Sequence, residues 1–295
     1  MPESAVLLYF EDEAPAAWRL ADAADLKPCL VQRHRFPDGE LQLTLPAHLP
    51  PHVVLLRSLH APNDKLVELL LAAQTARELG AQHLSLVAPY LAYMRQDMAF
   101  APGQAVSQRI VGAWLANLFN AVITVDPHLH RVASLAQAVP AQQAITLSAA
   151  PLLGDWIARH RPNAFLLGPD SESAQWVTQA ASAHGFEHAV CTKLRRGDRE
   201  VEVVLPACAL RGKAVVILDD MASSGHTLAT AAALALAAGA ASVDVAVTHA
   251  LLAGDALQHI HQAGVGEFWS TDAIAHASNV VQLAPLLAQG LKSLA

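Results

Sequence analysis

The sequence has few cysteines, few aromatic residues and no long basic segment. Its three cysteines, Cys29, Cys191 and Cys208, form no CxxC pair, so neither a disulfide framework nor a structural zinc site is expected. The formal net charge of −7 argues against a nucleic-acid partner, because such binding depends on neutralising phosphates. Basic residues cluster only locally, as in Lys193–Arg199, which suits a small anion.

Long apolar segments and common nucleotide motifs are also missing. The longest apolar run, AAALALAAGAA, is shorter than a membrane span and is interrupted by Gly239. The opening MPESAVLLYFEDE is acidic where a secretory signal would be basic, so we expect a cytoplasmic protein with no membrane partner. Without GxxxxGK(S/T), ATP would not be held by a Walker loop, and without GxGxxG after a strand a dinucleotide is not expected.

Short apolar runs alternate with helical patterns along the whole chain. The runs are continuous, which indicates strands buried on both faces, and their alternation with helices indicates parallel sheets flanked by helices. The predicted strands are Ala5–Phe10, Val53–Leu56, Leu84–Ala88, Val122–Val125, Ala164–Leu167, Val201–Leu205, Val215–Leu218, Val243–Thr248 and Phe268–Ser270. The predicted helices are Asp64–Leu79, Ser107–Leu118, Ser171–His184, Thr227–Ala238 and Asp255–Ala263.

The first set of strands and helices ends near Val139–Ala149. This stretch does not have the composition of a flexible linker, so we expect two halves that pack firmly. We predict one domain over residues 1–145 and a second over residues 146–295.

A faint internal repeat links the two halves. The segment VVLLRSLHAPNDKLVELL (Val53–Leu70) aligns without gaps with VVILDDMASSGHTLATAA (Val215–Ala232). The first copy has Arg57–Ser58 where the second has Asp219–Asp220. The repeat indicates a duplicated α/β domain in which only the second copy kept an acidic site.

The second copy of this repeat is the most informative part of the chain. Its apolar strand runs into Asp219 and Asp220, and burying unpartnered carboxylates is costly, so they are expected to face a polar ligand or a metal. A loop with hydroxyls and a glycine follows, and the helix beyond it presents its positive end to an anion. This order suits a sugar phosphate. The carboxylates would bind sugar hydroxyls, and the loop would bind the phosphate through Ser223, Ser224, Gly225, His226 and Thr227.

The string DDMASSGHT resembles the phosphoribosyl pyrophosphate loop of type I phosphoribosyltransferases. Further blocks narrow the resemblance to the ribose-phosphate pyrophosphokinase (phosphoribosyl pyrophosphate synthetase) family, and Ser223 and Pro127 place it closer to the archaeal-type branch. In the family's order, these blocks are RFPDGE (Arg35–Glu40), NDKLVELLL (Asn63–Leu71), APYLAYMRQD (Ala88–Asp97), VDPH (Val125–His128), GPD (Gly168–Asp170), TKLRR (Thr192–Arg196), THALLAG (Thr248–Gly254) and STDAIAHASN (Ser270–Asn279).

This resemblance implies two phosphoribosyltransferase-type (type I) domains, each a largely parallel sheet flanked by helices and related by pseudo-duplication. It implies transfer of the pyrophosphoryl group of ATP to the C1 hydroxyl of ribose 5-phosphate, giving AMP and 5-phosphoribosyl 1-pyrophosphate. Mg²⁺ is the implied cofactor. ATP would be bound on the N-terminal side and ribose 5-phosphate on the C-terminal side. A homo-oligomer is expected, because a neighbouring subunit would complete the adenine site.

The resemblance also implies roles for single residues. Lys193 and Arg195 match the family's catalytic pair; two positions apart on an extended segment, they would point the same way and meet charge on the transferring group. His128 and Asp170 match metal-associated residues, although histidine is an unusual magnesium ligand. The loop Arg196–Glu200 is expected to be mobile until ATP binds. The implied ATP-binding residues are Phe36, Asp38, Glu40, Arg95, Gln96 and Asp97.

Two departures from the family pattern keep alternatives open. His226 stands where a small residue is common, and Leu194 stands where a basic residue is common. One alternative is a phosphoribosyltransferase that consumes phosphoribosyl pyrophosphate, which would need neither RFPDGE nor YMRQD. The other is a non-catalytic regulatory homologue that binds nucleotide or the synthetase itself. The presence of both Lys193 and Arg195 argues against this second alternative.

Overall fold

The computed structural model describes residues 5–196 and 200–294, without the side chains of residues 193–196 and 200–202. Its internal contacts divide the chain into two compact units. The first unit comprises Met1–Leu147 and Leu283–Ala295, and the second comprises Ser148–Gln282.

The first unit is built on a six-stranded parallel sheet in the order β2-β1-β5-β6-β7-β8, and β3 and β4 form a separate antiparallel hairpin. Its elements in chain order are β1 (Val6–Tyr9), α1 (Ala14–Ala24), β2 (Lys27–Leu30), β3 (Gln32–Arg35), β4 (Leu41–Thr44), β5 (His52–Leu56), α2 (Pro62–Glu78), β6 (His83–Ala88), α3 (Ser107–Leu118), β7 (Ala121–Val125), α4 (Leu135–Ala138) and β8 (Gln143–Leu147).

The second unit repeats this plan with a six-stranded parallel sheet in the order β10-β9-β13-β14-β15-β16 and a hairpin of β11 and β12. Its elements are α5 (Ala150–His160), β9 (Phe165–Gly168), α6 (Ala174–Ser182), β10 (His188–Val190), β11 (Thr192–Arg196), β12 (Glu200–Val204), β13 (Ala214–Ala222), α7 (His226–Ala237), β14 (Ser242–Ala250), α8 (Ala256–Gln262), β15 (Val265–Thr271) and β16 (Asn279–Val281). Helix α9 (Ala284–Lys292) then follows.

The two units have the same topology, strand for strand. In each, the first strand of the sheet pairs with the second and third, and an antiparallel hairpin is inserted between the second and the third. The strands of the two hairpins pair in an equivalent register. Gln32 pairs with Thr44 in the first hairpin, and Thr192 pairs with Val204, the same number of residues further along the chain, in the second. The predicted fold class, two pseudo-duplicated α/β domains, is confirmed.

Alternate residues of each central strand in the second unit pack on opposite faces of the sheet. Val215 and Ile217 join a core beneath α7 and α8, whereas Val216 and Leu218 join a core beneath α5 and α6. Both faces are therefore covered by helices, which explains why the strands are continuous apolar runs.

The C-terminal helix differs from the predicted domain division. Residues 283–295 were expected in the second domain, but they belong to the first unit. Leu287 and Leu291 of α9 are buried, and the helix packs against α1, β7 and β8. Burial of this apolar face of α9 holds the end of the chain against the first sheet. Within residues 5–196 and 200–294, every helix is too short or too polar to cross a membrane.

Candidate active site

Three aspartates lie at the carboxyl ends of two paired strands in the second unit. Strands β9 and β13 are parallel neighbours, and Asp170 follows β9 by two residues. Strand β13 runs beyond its predicted end at Leu218, so that Asp219 and Asp220 lie within it. Because ligands of open α/β sheets bind at this edge, the structure brings one predicted metal residue beside the two predicted sugar residues.

The electrostatics of this edge favour a cationic or hydroxyl-bearing ligand. Burial raises the pKa of Asp219 well above its usual range, and the Asp220 and Asp170 carboxylates raise it further. Asp220 and Asp170 are both buried. Crowded carboxylates are stabilised by a cation or by hydrogen-bond donors, and oxygen donors are the ligands that Mg²⁺ prefers. The three side chains therefore fit a magnesium ion or the hydroxyls of a pentose.

The predicted phosphate loop has an open geometry. Gly225 is the N-cap of α7 with a φ of 78°, and no side chain in the described part of the molecule caps this helix, so its first N–H groups face the loop. A Cβ on Gly225 would come within 2.9 Å of Ile260 Cγ1 and 3.1 Å of Ala256 O. Only glycine fits this backbone position. The Ala253 N–H donates to Ser223 O at 3.0 Å, which holds the start of the loop.

His226 does not close the loop. Its side chain is exposed, as is that of Ser224, whereas Ser223 and Thr227 are half-buried. The His226 ring lies 4.9 Å from the ring of His259 on α8, at an interplanar angle of 67°. The imidazole therefore leaves the phosphate position accessible.

The backbone of the predicted catalytic hairpin is part of the fold. On β11, Lys193 pairs with Val203 and Arg195 pairs with Val201 of β12. The side chains of Lys193 and Arg195 lie outside the described part of the chain, as does the loop of residues 197–199.

The predicted adenine-binding residues lie at the tip of the other hairpin, in the first unit. The ring of Phe36 is 41% exposed and meets the His34 ring edge-on with centroids 4.8 Å apart. The Phe36 N–H donates to Glu40 O at 2.9 Å, and the Glu40 N–H donates to Asp38 Oδ1 at 3.1 Å. The turn thus presents an aromatic face beside two carboxylates.

The other ATP-binding candidates follow β6 and differ in their surroundings. Arg95 is exposed and Gln96 is half-buried; the Ser107 hydroxyl donates to Gln96 Oε1 at 3.0 Å. The Asp97 side chain is almost fully buried and accepts a hydrogen bond of 2.6 Å from Arg131. Arg95 is therefore accessible from solvent, whereas Gln96 is held by Ser107 and Asp97 by Arg131.

His128, the other metal candidate, follows β7 in the first unit. It is half-buried, and its ring packs edge-on against the His130 ring with centroids 4.0 Å apart. His130 is thus a direct neighbour of the predicted ligand.

An ionic cluster occupies the first unit at the position that corresponds to Asp219. Arg57 follows β5, the counterpart of β13, and its side chain is only 1% exposed. Its Nη2 donates to Glu68 Oε2 at 2.5 Å and its Nη1 donates to Asp12 Oδ2 at 2.7 Å. The Arg57 Nη1 also lies 3.4 Å from Glu13 Oε2. At this edge of the first sheet a buried cation is thus held by three carboxylates, in contrast to the aspartates at the same edge of the second sheet.

These features define a protein with two phosphoribosyltransferase-type domains, one with three aspartates at the edge of its sheet and one with an exposed aromatic ring at the tip of its hairpin. Residues 5–120 match the family profile described as the N-terminal domain of ribose phosphate pyrophosphokinase, and residues 137–264 match the phosphoribosyl transferase domain.

Full-length relatives narrow the class further. The ribose-phosphate pyrophosphokinase of Methanopyrus kandleri is 34% identical over 94% of this chain and 94% of its own length. That of Methanosarcina acetivorans is 33% identical over 94% of this chain and 96% of its own length. The phosphoribosylpyrophosphate synthetase structure from Mycobacterium smegmatis shares the fold, with a TM-score of 0.85 and 23% identity over 99% of this chain and 98% of its own. The chain belongs to the ribose-phosphate pyrophosphokinase family, and archaeal members are among its relatives.

Proposed function

We propose that this chain transfers the pyrophosphoryl group of ATP to the C1 hydroxyl of ribose 5-phosphate, giving 5-phosphoribosyl 1-pyrophosphate and AMP. The observation that carries the proposal is the edge of the second sheet, where Asp219 and Asp220 adjoin the open loop that begins α7. Family membership supports the same reaction.

The second unit would hold the sugar phosphate. Asp219 and Asp220 would accept hydrogen bonds from ring hydroxyls, and the loop Ser223–Thr227 would bind the 5-phosphate through hydroxyls and the N–H groups of α7. Binding of this kind fixes the anomeric hydroxyl in one direction, which is the main contribution of positioning to a phosphoryl-type transfer.

The transfer forms one bond and breaks one. The C1 oxygen attacks the β-phosphorus in line, and the bond from the β-phosphorus to the oxygen shared with the α-phosphate breaks, with its electron pair leaving on AMP. The C1 hydroxyl proton is lost to solvent or a base. Lys193 and Arg195 would offset the negative charge that develops during this exchange.

The first unit would supply the nucleotide-binding residues. Phe36 would stack on adenine, Asp38 and Glu40 would accept hydrogen bonds from its exocyclic amine, and Arg95 and Gln96 would contact the phosphates and the nucleoside. In the homo-oligomer that we propose, the hairpin of one subunit would serve the site of another.

Mg²⁺ fits the donors at the edge of the second sheet, where three carboxylates converge. Asp170 would be one of its ligands there, and the resemblance to the family adds His128 as a further proposed ligand. When bound, the ion would neutralise part of the negative charge on the phosphates.

Product analysis tests the proposal directly. With ATP, Mg²⁺ and ribose 5-phosphate, the protein should release AMP and not ADP, in a ratio of one AMP per sugar consumed. Lys193→Ala is the matched control, because loss of a group that acts in the transition state should lower kcat while both KM values change little. Release of pyrophosphate that depends on an added purine or pyrimidine base would instead identify a phosphoribosyltransferase. A wild-type protein with no turnover that co-purifies with an active synthetase would identify a regulatory homologue.

A further inference from the structure

The hairpin of β3 and β4 forms a separate two-stranded sheet, so the position of its tip depends on side-chain contacts with other elements. Two arginines of β3 make such contacts, and both form ion pairs with α2. Arg33 donates to Glu68 Oε1, and Arg35 Nη2 donates to Asp64 Oδ2 at 2.7 Å. Residues two apart on a strand are about 6.6 Å apart, and residues four apart on a helix rise about 6 Å. The two spacings match, so the hairpin docks on α2 in a single register.

The two ion pairs are not equivalent. Glu68 is 1% exposed and is also held by the buried guanidinium of Arg57, so the Arg33 contact ends on a fixed partner. Arg33 Nη2 additionally lies 3.5 Å from Asp12 Oδ1. In contrast, Arg35 and Asp64 are 49% and 68% exposed, and an exposed pair contributes little. Arg33 is therefore the stronger of the two attachments.

Only two residues separate Arg33 from the tip residue Phe36, and hydrogen bonds stiffen the connection. The Gly39 N–H donates to Phe36 O at 2.9 Å, and Arg35 Nη1 donates to Gly39 O at 3.3 Å. A displacement at the base of the hairpin is thus carried to the Phe36 ring.

The first two turns of α2 also reach the second nucleotide-binding segment. The Tyr93 hydroxyl donates to Asn63 Oδ1, and Tyr93 lies two residues before Arg95 in the loop that follows β6. The NDKLVELLL block, which had no role in the sequence analysis, therefore contacts both segments that are proposed to bind ATP.

We propose that Arg33 is a positioning residue for adenine recognition: through Glu68 on α2 it fixes the hairpin that carries Phe36. The inference deepens the proposed function and rests on it. Arg33 itself does not touch the nucleotide in this scheme, and it acts by limiting the positions that the Phe36 ring can take.

The first test is the kinetics of Arg33→Gln in the full-length protein. The KM for ATP should rise about three- to tenfold, the cost of losing an aromatic stacking contact, while the KM for ribose 5-phosphate stays within twofold. The preference of the enzyme for ATP over GTP should decrease in the same variant, because a loosely held hairpin discriminates less well between adenine and guanine. Arg33→Lys, which keeps the charge, should recover part of the loss. Lys213→Gln is the matched control, since it removes the 2.7 Å ion pair with Glu187 in the second unit and should leave all these values unchanged.

A double-mutant cycle with Phe36→Ala separates positioning from general stability. If Arg33 acts through the Phe36 ring, Arg33→Gln will change the KM for ATP by less than twofold in the Phe36→Ala background. Additive effects in the cycle would overturn the inference, as would an Arg33→Gln variant that fails to fold or one with wild-type KM and base preference. A wild-type protein that makes no AMP would overturn the proposed function as well, so the two failures are distinguishable.

Discussion

Replacing Arg57 by methionine tests the ionic cluster of the first unit most severely. The guanidinium is buried among three carboxylates, those of Asp12, Glu13 and Glu68, and methionine fills a similar volume without the charge. The variant therefore leaves the Glu68 and Glu13 side chains, which are 1% and 9% exposed, without their shared buried cation. It does not touch any residue proposed to bind substrate.

The expected loss of unfolding free energy follows from the burial of the two carboxylates that no longer have Arg57 as a partner. Breaking a buried ion pair by removing one partner costs about 3–5 kcal/mol. The lower end of this range applies to Arg57→Met, because Glu68 keeps its contact with Arg33 in the variant. With a urea m-value of about 2 kcal/mol/M, a loss of about 3 kcal/mol lowers the urea midpoint by roughly 1.5 M. The loss should be smaller at pH 5 than at pH 8, because burial raises the pKa of Glu13 to about 7 and protonation at pH 5 removes that stranded charge.

The assay is urea unfolding followed by amide hydrogen exchange, which locates the loss in peptides of β5 and α2. Adding Glu68→Leu to Arg57→Met should restore part of the stability, since it removes one stranded charge. Arg35→Gln is the control, because it breaks an exposed pair worth about 0–1 kcal/mol. A loss below about 1 kcal/mol for Arg57→Met, or a loss that grows as the pH falls, would refute the electrostatic reasoning.

Two further predictions concern a buried acid and the phosphate loop. Burial raises the pKa of Glu13 to about 7 from 4.5, so the folded state holds an extra proton between these pH values and Glu13 lowers stability as the pH rises through them. The free energy of unfolding of Glu13→Gln, measured by urea titration, should therefore increase relative to that of the wild type as the pH rises from 5 to 8. A difference between the two proteins that stays constant over this range would contradict the reasoning. Gly225→Ala should raise the KM for ribose 5-phosphate and lower Tm, because the added Cβ meets Ile260 at a φ of 78°. Gly212→Ala is its control, because Gly212 has a similar φ of 76° and no atom of the described residues lies within 4 Å of the added Cβ. An equal effect of both changes on KM would refute the contact argument.

The interior of each sheet could be predicted from the sequence, and the edges could not. The eight interior strands, β1, β5, β6, β7, β9, β13, β14 and β15, all coincide with predicted apolar runs. The edge strands β2, β8, β10 and β16 were missed. An edge strand has one neighbour and is half exposed, so it carries no continuous apolar run. In β2, Pro28 even occupies a strand position, which an edge tolerates because one side of the strand needs no ladder bonds.

The candidate site, like the sheets, could be predicted from the sequence only in part. Its carboxylates and phosphate loop could be predicted because they are consecutive residues on one strand, loop and helix. The partner that crowds them, Asp170, comes from a different strand, and its proximity to Asp219 depends on sheet order. Burial of the Asp97 side chain against Arg131 likewise depends on a contact between residues 34 positions apart, which no local pattern reports. Glu68 was missed because a charged residue on an amphipathic helix is ordinarily assigned to its exposed face.

The two copies of the fold use the same positions for opposite charges. At the end of the third sheet strand, the second copy has Asp219 and the first has Arg57. In the hairpins, whose registers coincide, Arg33 and Arg35 occupy the positions of Lys193 and Arg195. In the first copy the basic residues of both elements are joined through the acids of α2, so their charges are satisfied internally. The strand end therefore differs in charge between the copies: Asp219–Asp220 in the second copy is the edge proposed to bind the sugar phosphate, whereas Arg57 in the first copy is paired with Glu68, the residue that also holds the hairpin through Arg33.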